Sequence, residues 1–450
     1  MANLSLEELK KLAQQKEIDT VLAVFPDYYG RLMGKRLTVE YFLEQEHFFC
    51  CDYLLTAGME MEPRAGFSLA SWEKGYGDFT FVPDFNTLRR IPWLEKTALV
   101  ICDLMHEKGT EVAQAPRNIL KKQCRKLAER GWQANMASEL EFHLFKESFT
   151  TLQQNNYRDL TPSTPYRIDY HILGTTFDEG VIRAIRNGMA AADIPIECSK
   201  GECGAGQHEI GLYYADALEM ADRHVIYKNG AKEIAAQHEV ALSFMAKYKT
   251  TEAGSSCHIH SSIFDTKSKS NVFWDRKADQ PSDNFRYFLG GLLQLTREFF
   301  LLLAPTVNSY KRYCAASFAP TRIVWSYDNR TAGYRIVGRG PSYRIENRMP
   351  GADTNAYLAF AATVAAGLYG IENKIACPKE FTGDAYTTAG LPVVPATLTE
   401  AADLLDKSSI ARLCFGDAVV DHYVQCAQAE LNSYNQSVTD WELRRYFERI

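Results

Sequence analysis

The stretch Ser138–Phe145, SELEFHLF, constrains the fold more than any other segment of the chain. Alternate residues of a β-strand share a face, so Glu139, Glu141 and His143 point one way and Leu140, Phe142 and Leu144 the other. The apolar face calls for a core on that side. The acidic face sets a harder condition, because two neighbouring carboxylates repel and are costly to bury unless something pairs with them. The fold must therefore place a partner opposite Glu139 and Glu141.

Bulk properties remove several function classes. A chain of 450 residues has room for two or three domains, and 46% hydrophobic with 24% charged residues is ordinary for a soluble globular protein. A net charge of −6 without a dense Lys/Arg stripe argues against a nucleic-acid partner. The start, MANLSLEELKKLAQQKEIDT, reads as an amphipathic helix rather than a signal peptide. The most membrane-like run, Ala356–Ile371, is too short to span a bilayer and is entered through polar GADTN, which predicts a buried core helix and no membrane partner. Eleven cysteines, Cys50 and Cys51 adjacent and none in a CxxC pair, predict reduced thiols and a cytoplasmic location.

Along the chain, TVLAVFPDYYGRLMGKRL predicts a hairpin and TALVICDL a buried strand, separated by the aromatic loop AGFSLASWEKGYGDFTFVPD. The polar segment 107–116, ending in proline, is the expected domain boundary, giving domains 1–107 and 116–450. RNILKKQCRKLAERG reads as a helix with Ile119, Leu120, Cys124 and Leu127 on one face and Gly131 as its stop. Further helices are expected at Gly180–Asp193, Ala215–Glu239, Asp283–Leu303 and Thr354–Glu372. Without regular βαβ spacing, an α+β body with mainly antiparallel pairing is expected.

Four more fragments carry chemistry. GECGAGQHEIGLYY sets Glu202 and Glu209 around a glycine-rich turn, GSSCHIHSSIF puts His258, His260 and Ser262 on one strand face, and SYRIENRMPGAD does the same for Arg344, Glu346 and Arg348. SYKRY and YDNRTAGYRI add Arg312, Arg330 and Arg335. Singly each has a bland reading: a solvated acidic face, a satisfied histidine pair, an ion-pair ladder or a plain turn. Together, carboxylates and imidazole form a ligand set for Mg²⁺ or Mn²⁺, and arginines grip phosphate bidentately. That combination describes a phosphoryl-transfer site, and the missing GxxxxGK[ST] excludes a P-loop.

The order and spacing of these fragments, with GRLMGKR, GDFTFVPD, PTVNSYKR and NAYLAFAATVAAGLYGI, resemble type I chains of the glutamine synthetase superfamily over nearly the whole sequence. The resemblance implies a small N-terminal β-grasp domain, a larger catalytic domain around an antiparallel sheet flanked by helices, and a homo-oligomer, usually a dodecamer of two rings. It implies that ATP phosphorylates the γ-carboxylate of glutamate before an amine attacks. By motif, Glu141, Glu202 and Glu209 would hold one metal ion, and Glu139, His258 and Glu346 another. Gly254, Arg312 and Arg348 resemble glutamate-binding positions, and Arg330 the arginine that stabilises charge during transfer. Tyr214, His260, Ser262, Arg335 and Arg344 resemble ATP-site positions.

Departures from that pattern concern the amine. Where ammonia-using members read close to Gly-Tyr-Glu-Ala-Pro, this chain has ASFAP, with Phe318 at the glutamate position. Their first-domain Asp-Gly-Ser-Ser has no counterpart in PRAGFSLASW, although Asp78 matches a later aspartate, and their Asn-Gly appears as Ala253-Gly254. An ammonium ion needs anionic ligands that also take its proton, whereas a phenyl ring offers apolar surface to an amine bearing carbon. The resemblance therefore points to the branch that makes γ-glutamyl amides from small primary amines, with Phe318 in the amine pocket, Asp78 beside the attacking nitrogen, and Trp72 and Tyr76 supplied by a neighbouring subunit. Glutamine synthesis from ammonia and a non-catalytic structural role are the alternatives.

Overall fold

The computed structural model describes residues 3–450. Two sheets organise it. The first contains β1 (Thr20–Pro26), β2 (Leu32–Thr38), β3 (Phe48–Cys51), β4 (Asp78–Pro83), β5 (Arg89–Arg90) and β6 (Thr97–Met105), in the order β2-β1-β6-β4-β3 with β5 also on β6. The expected hairpin is β1–β2, paired Thr20 to Thr38 through Pro26 to Leu32, and β1 lies parallel to β6. The apolar runs of β1 and β6 lack alternation because both faces are buried. Val21, Ala23 and Phe25 enter the core of the first sheet, while Leu22 and Val24 enter the larger core of the rest of the chain. Arg117 ties the two bodies together, with ion pairs to Asp84 (2.8 Å), Asp103 (2.6 Å) and Asp222 (2.9 Å).

The second sheet is built on the long β7 (Trp132–Phe145) with β8 (Ile196–Gly201), β9 (Gln207–Leu212), β10 (Ala215–Asp216), β11 (Ala241–Ser243) and β12 (Cys257–Asp265). A hairpin of β13 (Trp274–Asp275) and β14 (Gln280–Pro281) stands apart, and β15 (Trp325–Tyr327), β16 (Tyr334–Val337) and β17 (Arg344–Asn347) complete the order β15-β16-β17-β12-β7-β9-β8. Pairing in this sheet is antiparallel except between β15 and β16, so the expected α+β class holds. One face of β7 feeds Leu140, Phe142 and Leu144 into the core.

Helices cover that core, at Pro116–Glu129, Glu179–Ala191, Ala217–Gln237, Asp283–Leu295 and Ala356–Glu372. The last is buried along nearly its whole length, as its unbroken apolar sequence requires. It crosses Asp283–Leu295 at Gly291 and Gly370, where a Cβ on Gly370 would lie 2.2 Å from the Tyr287 carbonyl oxygen. Among the described residues no helix is long and apolar enough to cross a membrane. The helix expected to run to Leu303 stops at Leu295 and gives way to a 3₁₀ turn at Phe300–Leu302. There the Thr296 hydroxyl bonds the Leu292 carbonyl (2.6 Å) and the Tyr334 hydroxyl (2.6 Å), the local side-chain competition that ends helices.

Candidate active site

Strand register brings the chemistry together. Glu139 of β7 lies opposite His258 of β12, and Glu141 lies opposite Glu209 of β9. Glu346 of β17 lies opposite His260 on one side and Arg335 on the other. Glu202 follows β8 and turns back through its amide to the Gln207 carbonyl (2.9 Å). The side chains surround a cavity of about 210 Å³. Its walls include all six expected metal ligands, Gly254, Arg312, Arg330, Arg335, Arg348 and Phe318.

The first acidic group is Glu141, Glu202 and Glu209, each offering an oxygen within 4.8 Å of the others. Glu141 accepts from the Ser256 amide (2.8 Å), the Ser256 hydroxyl and the Gln207 side-chain amide (3.1 Å). Burial, then repulsion from Glu202, pushes its carboxyl up to about 7, and burial with repulsion from Glu139 raises Glu209 well above the carboxylate range. The lone cation among them is Lys200, paired with Glu202 and 3.7 Å from Glu209. One ammonium against three largely buried carboxylates leaves the group short of positive charge, which a divalent cation with oxygen ligands would supply. The donor set fits such an ion.

The second group centres on Glu139, which meets His258 at 3.3 Å and His260 at 2.8 Å. Burial opposes its ionisation, but these imidazoles hold it far below the usual range. Burial, then the Arg348 charge, lowers His258 to about 4, so its ring is neutral and able to ligate. Glu346, almost fully buried, pairs with Arg348 (2.6 Å), Arg335 (2.8 Å) and, at 3.6 Å, His258. The tightest sets pair Glu139 with His260 and Glu346, and with Glu209 and His258. The expected trio thus shares its neighbourhood with His260 and Glu209.

The guanidinium of Arg312 is buried and bonds the carbonyls of Arg348 (3.3 Å), Met349 and Pro350 (3.1 Å). Gly254 packs against it so closely that a Cβ would lie 2.6 Å from Arg312 Cγ. Arg330 is exposed at the cavity edge. Arg344 donates to His260 Nδ1 (3.2 Å), continuing the polar row along the sheet away from the cavity. Ser262 lies further along the same face of β12, and Tyr214, 66% exposed after β9, is outside the lining.

Phe318 is not a core residue. Its ring is 55% exposed on the cavity, and its carbonyl accepts from Arg348 (3.4 Å). Its φ of 58° and that of Tyr170, 54°, put both cavity-lining aromatics in the left-handed region, at a cost of about 1–3 kcal/mol each. Asp78, exposed at the start of β4, and Trp72 and Tyr76 do not line the cavity of their own subunit.

The structure adds groups that the sequence did not single out: Asp169, Tyr170, Lys200, Cys203, Gln207 and Ser256. Gln207 and Ser256 sit inside quoted motifs, so position in the motif was a usable signal. Lys200 stands two residues before Glu202 and pairs with it, so sequence position offered a signal there too, whereas Asp169 carries none and reaches the cavity through tertiary placement alone.

Comparisons with known proteins agree with this geometry. Residues 113–446 match the family described as glutamine synthetase, catalytic domain. A γ-glutamylethanolamide synthetase of Streptomyces coelicolor is 48% identical, over 99% of this chain and 96% of that protein. A glutamate–isopropylamine ligase of a Pseudomonas species is 36% identical, over 98% of each. The solved structure of apo GmaS superposes with a TM-score of 0.85 at 26% identity, covering 98% of this chain and 100% of that one. With carboxylates, imidazole and arginines converging on one cavity and these matches spanning the chain, the protein belongs to the glutamine synthetase family.

Proposed function

We infer that the chain is an ATP-dependent ligase joining L-glutamate to a small primary amine. The observation that carries the reading is the exposed Phe318 on the wall of a cavity lined by six carboxylates and four arginines. The relatives named above, a γ-glutamylethanolamide synthetase and a glutamate–isopropylamine ligase, support it. The terminal phosphoryl group of ATP passes to a γ-carboxylate oxygen of glutamate, breaking its bond to ADP. The amine, once any ammonium proton has passed to solvent, attacks the carbonyl carbon of the γ-glutamyl phosphate with its lone pair, phosphate leaves with the electron pair of the C–O bond, and solvent takes the proton that the new amide nitrogen sheds.

Glu141, Glu202 and Glu209 would hold one Mg²⁺ or Mn²⁺, and Glu139, His258 and Glu346 a second. Such ions, when bound, neutralise phosphate charge. Arg312, Arg348 and Gly254 bind glutamate. Arg330, free of ion pairs among the described residues, meets the transferring phosphoryl group. Arg335, Arg344, His260, Ser262 and Tyr214 run outward along the nucleotide. Asp78, Trp72 and Tyr76, outside the cavity of their own subunit, would reach one from a neighbouring subunit of a ring-forming homo-oligomer, a dodecamer by family pattern.

Phosphate release with ammonia, methylamine, isopropylamine, ethanolamine, aniline and putrescine, at fixed ATP and glutamate, tests the reading. A carbon-bearing amine is expected to give the highest kcat/KM. Ammonia giving the highest returns the enzyme to glutamine synthesis.

A further inference from the structure

Six carboxylates line the cavity: Glu139, Glu141, Asp169, Glu202, Glu209 and Glu346. Five belong to the candidate cation sites: Glu139, Glu202, Glu209 and Glu346 face imidazoles, arginines or Lys200, and Glu141 accepts from Ser256 and Gln207. Asp169 does not. Among the described residues it forms no ion pair, and its one side-chain partner is the Cys203 thiol, which donates at 3.4 Å. The nearest ammonium is already committed, since Lys200 pairs with Glu202 and lies 4.9 Å over the Tyr170 ring.

The backbone around Asp169 is pinned to the sheet that carries the metal-site carboxylates. Arg167 forms a β-bridge with Ala205, and the Tyr170 amide donates to the Gly201 carbonyl (3.4 Å). Ile168 is fully buried against Gly201, where a Cβ would meet the Ile168 carbonyl oxygen at 2.3 Å. Tyr170 and Phe318 line the same cavity as Asp169. A carboxylate without a cation, in a cavity that two aromatic residues also line, is the receptor chemistry of an organic ammonium ion.

We propose that Asp169 receives the acceptor amine in its protonated form, making it a specificity-determining residue of the amine subsite. The proposal rests on the ligase reading above. It replaces Asp78 as the anion that a single subunit offers to the incoming nitrogen. Simple aliphatic amines are cationic at neutral pH, so a site lacking the two family carboxylates still needs one negative group to collect them. The class selected is a primary ammonium ion bearing a short carbon chain, its charge on Asp169 and its carbons against Phe318.

The test compares acceptors of different charge in Asp169→Asn, which keeps the side-chain size. Ethanolamine is cationic at pH 7.5, and hydroxylamine is neutral. The KM for ethanolamine should rise about tenfold or more, while the KM values for hydroxylamine, glutamate and ATP stay within about twofold of the parent. Asp169→Glu, which restores the charge, should recover part of the ethanolamine KM. Equal losses for both acceptors would make Asp169 a structural residue, and no loss for either would remove it from the subsite; both overturn the proposal. Should Asp169→Asn fail to fold, Asp169→Ser on the exposed loop takes its place in the same comparison. A parent enzyme that uses ammonia alone overturns the ligase reading, and ammonium against hydroxylamine then still decides Asp169.

Discussion

Gln207 donates its side-chain amide to Glu141 Oε2 (3.1 Å) and also to the carbonyl of Gly254 (3.0 Å). Its own oxygen accepts from the Gly204 amide (2.8 Å), and the side chain is buried. A carboxylate of the proposed metal site and the loop at Gly254 are therefore held by one fixed group. Removing it leaves a buried acceptor unmatched, at about 1–3 kcal/mol. Gln207→Ala is expected to raise both the KM for glutamate and the Mg²⁺ concentration for half-maximal rate about tenfold, with the KM for ATP changed less. Steady-state titrations of all three check this, and an unchanged Mg²⁺ requirement would separate Gln207 from the metal site.

Glu139 joins imidazoles from two positions on β12, so its loss should empty the second cation site without opening the core. Glu139→Ala and Glu346→Ala are expected to lose turnover by orders of magnitude while the oligomer stays intact by light scattering. Mg²⁺ should raise the Tm of the parent and raise that of Glu139→Ala less, because binding stabilises only a state with a site to fill. Near-normal turnover in either variant refutes the assignment.

Among the described residues Arg330 is exposed and forms no ion pair, where Arg348 and Arg335 are held by Glu346. An exposed cation at the cavity edge is placed to act on charge that develops in transfer. Arg330→Ala should lower kcat at least tenfold and alter the KM for glutamate by less. A raised KM with unchanged kcat would identify a ground-state binding residue instead.

At Phe318 a carboxylate would replace apolar surface worth about 0.8 kcal/mol per acceptor CH₂. Phe318→Glu should lower kcat/KM for ethanolamine or isopropylamine and raise it for ammonia, shifting the ratio by about tenfold or more. An unchanged ratio would show that the ring does not touch the acceptor.

Stability should carry a pH signature remote from the site. His422 is buried, with Phe67 and Tyr423 rings 5.3 and 5.2 Å away, and burial holds its imidazole down to about 4. The unfolded chain takes up that proton below about 6.5, so the folded state loses stability as pH falls from there towards 4, and the residue contributes no slope above pH 7. The full window is about 3 kcal/mol. Urea midpoints at pH 8 and pH 5 should fall further in the parent than in His422→Gln; equal falls would assign the acid sensitivity to other groups.

The hairpin, the buried strand of β6, the core helix Ala356–Glu372 and the two faces of β7 were legible in the sequence because each is written in local periodicity. Period-two alternation assigns Glu139 and Glu141 to one face whatever lies around them. What pairs with them is a long-range matter. Glu139 meets His258 across 119 residues of chain, and Glu141 meets Glu209 only because β9 docks in one register; a slip of one residue would turn either partner away. Tertiary structure alone brought Glu209 to Lys200, set Asp169 on the cavity wall and left Asp78 outside it. It also held Phe318 out of the core, in a backbone conformation that no local preference would choose for phenylalanine. The sequence by itself determined which residue types the chemistry uses and which face each strand shows. Charge balance in the cavity was decided by the fold, since electrostatic partnership depends on distance and burial, and neither is a property of sequence neighbours.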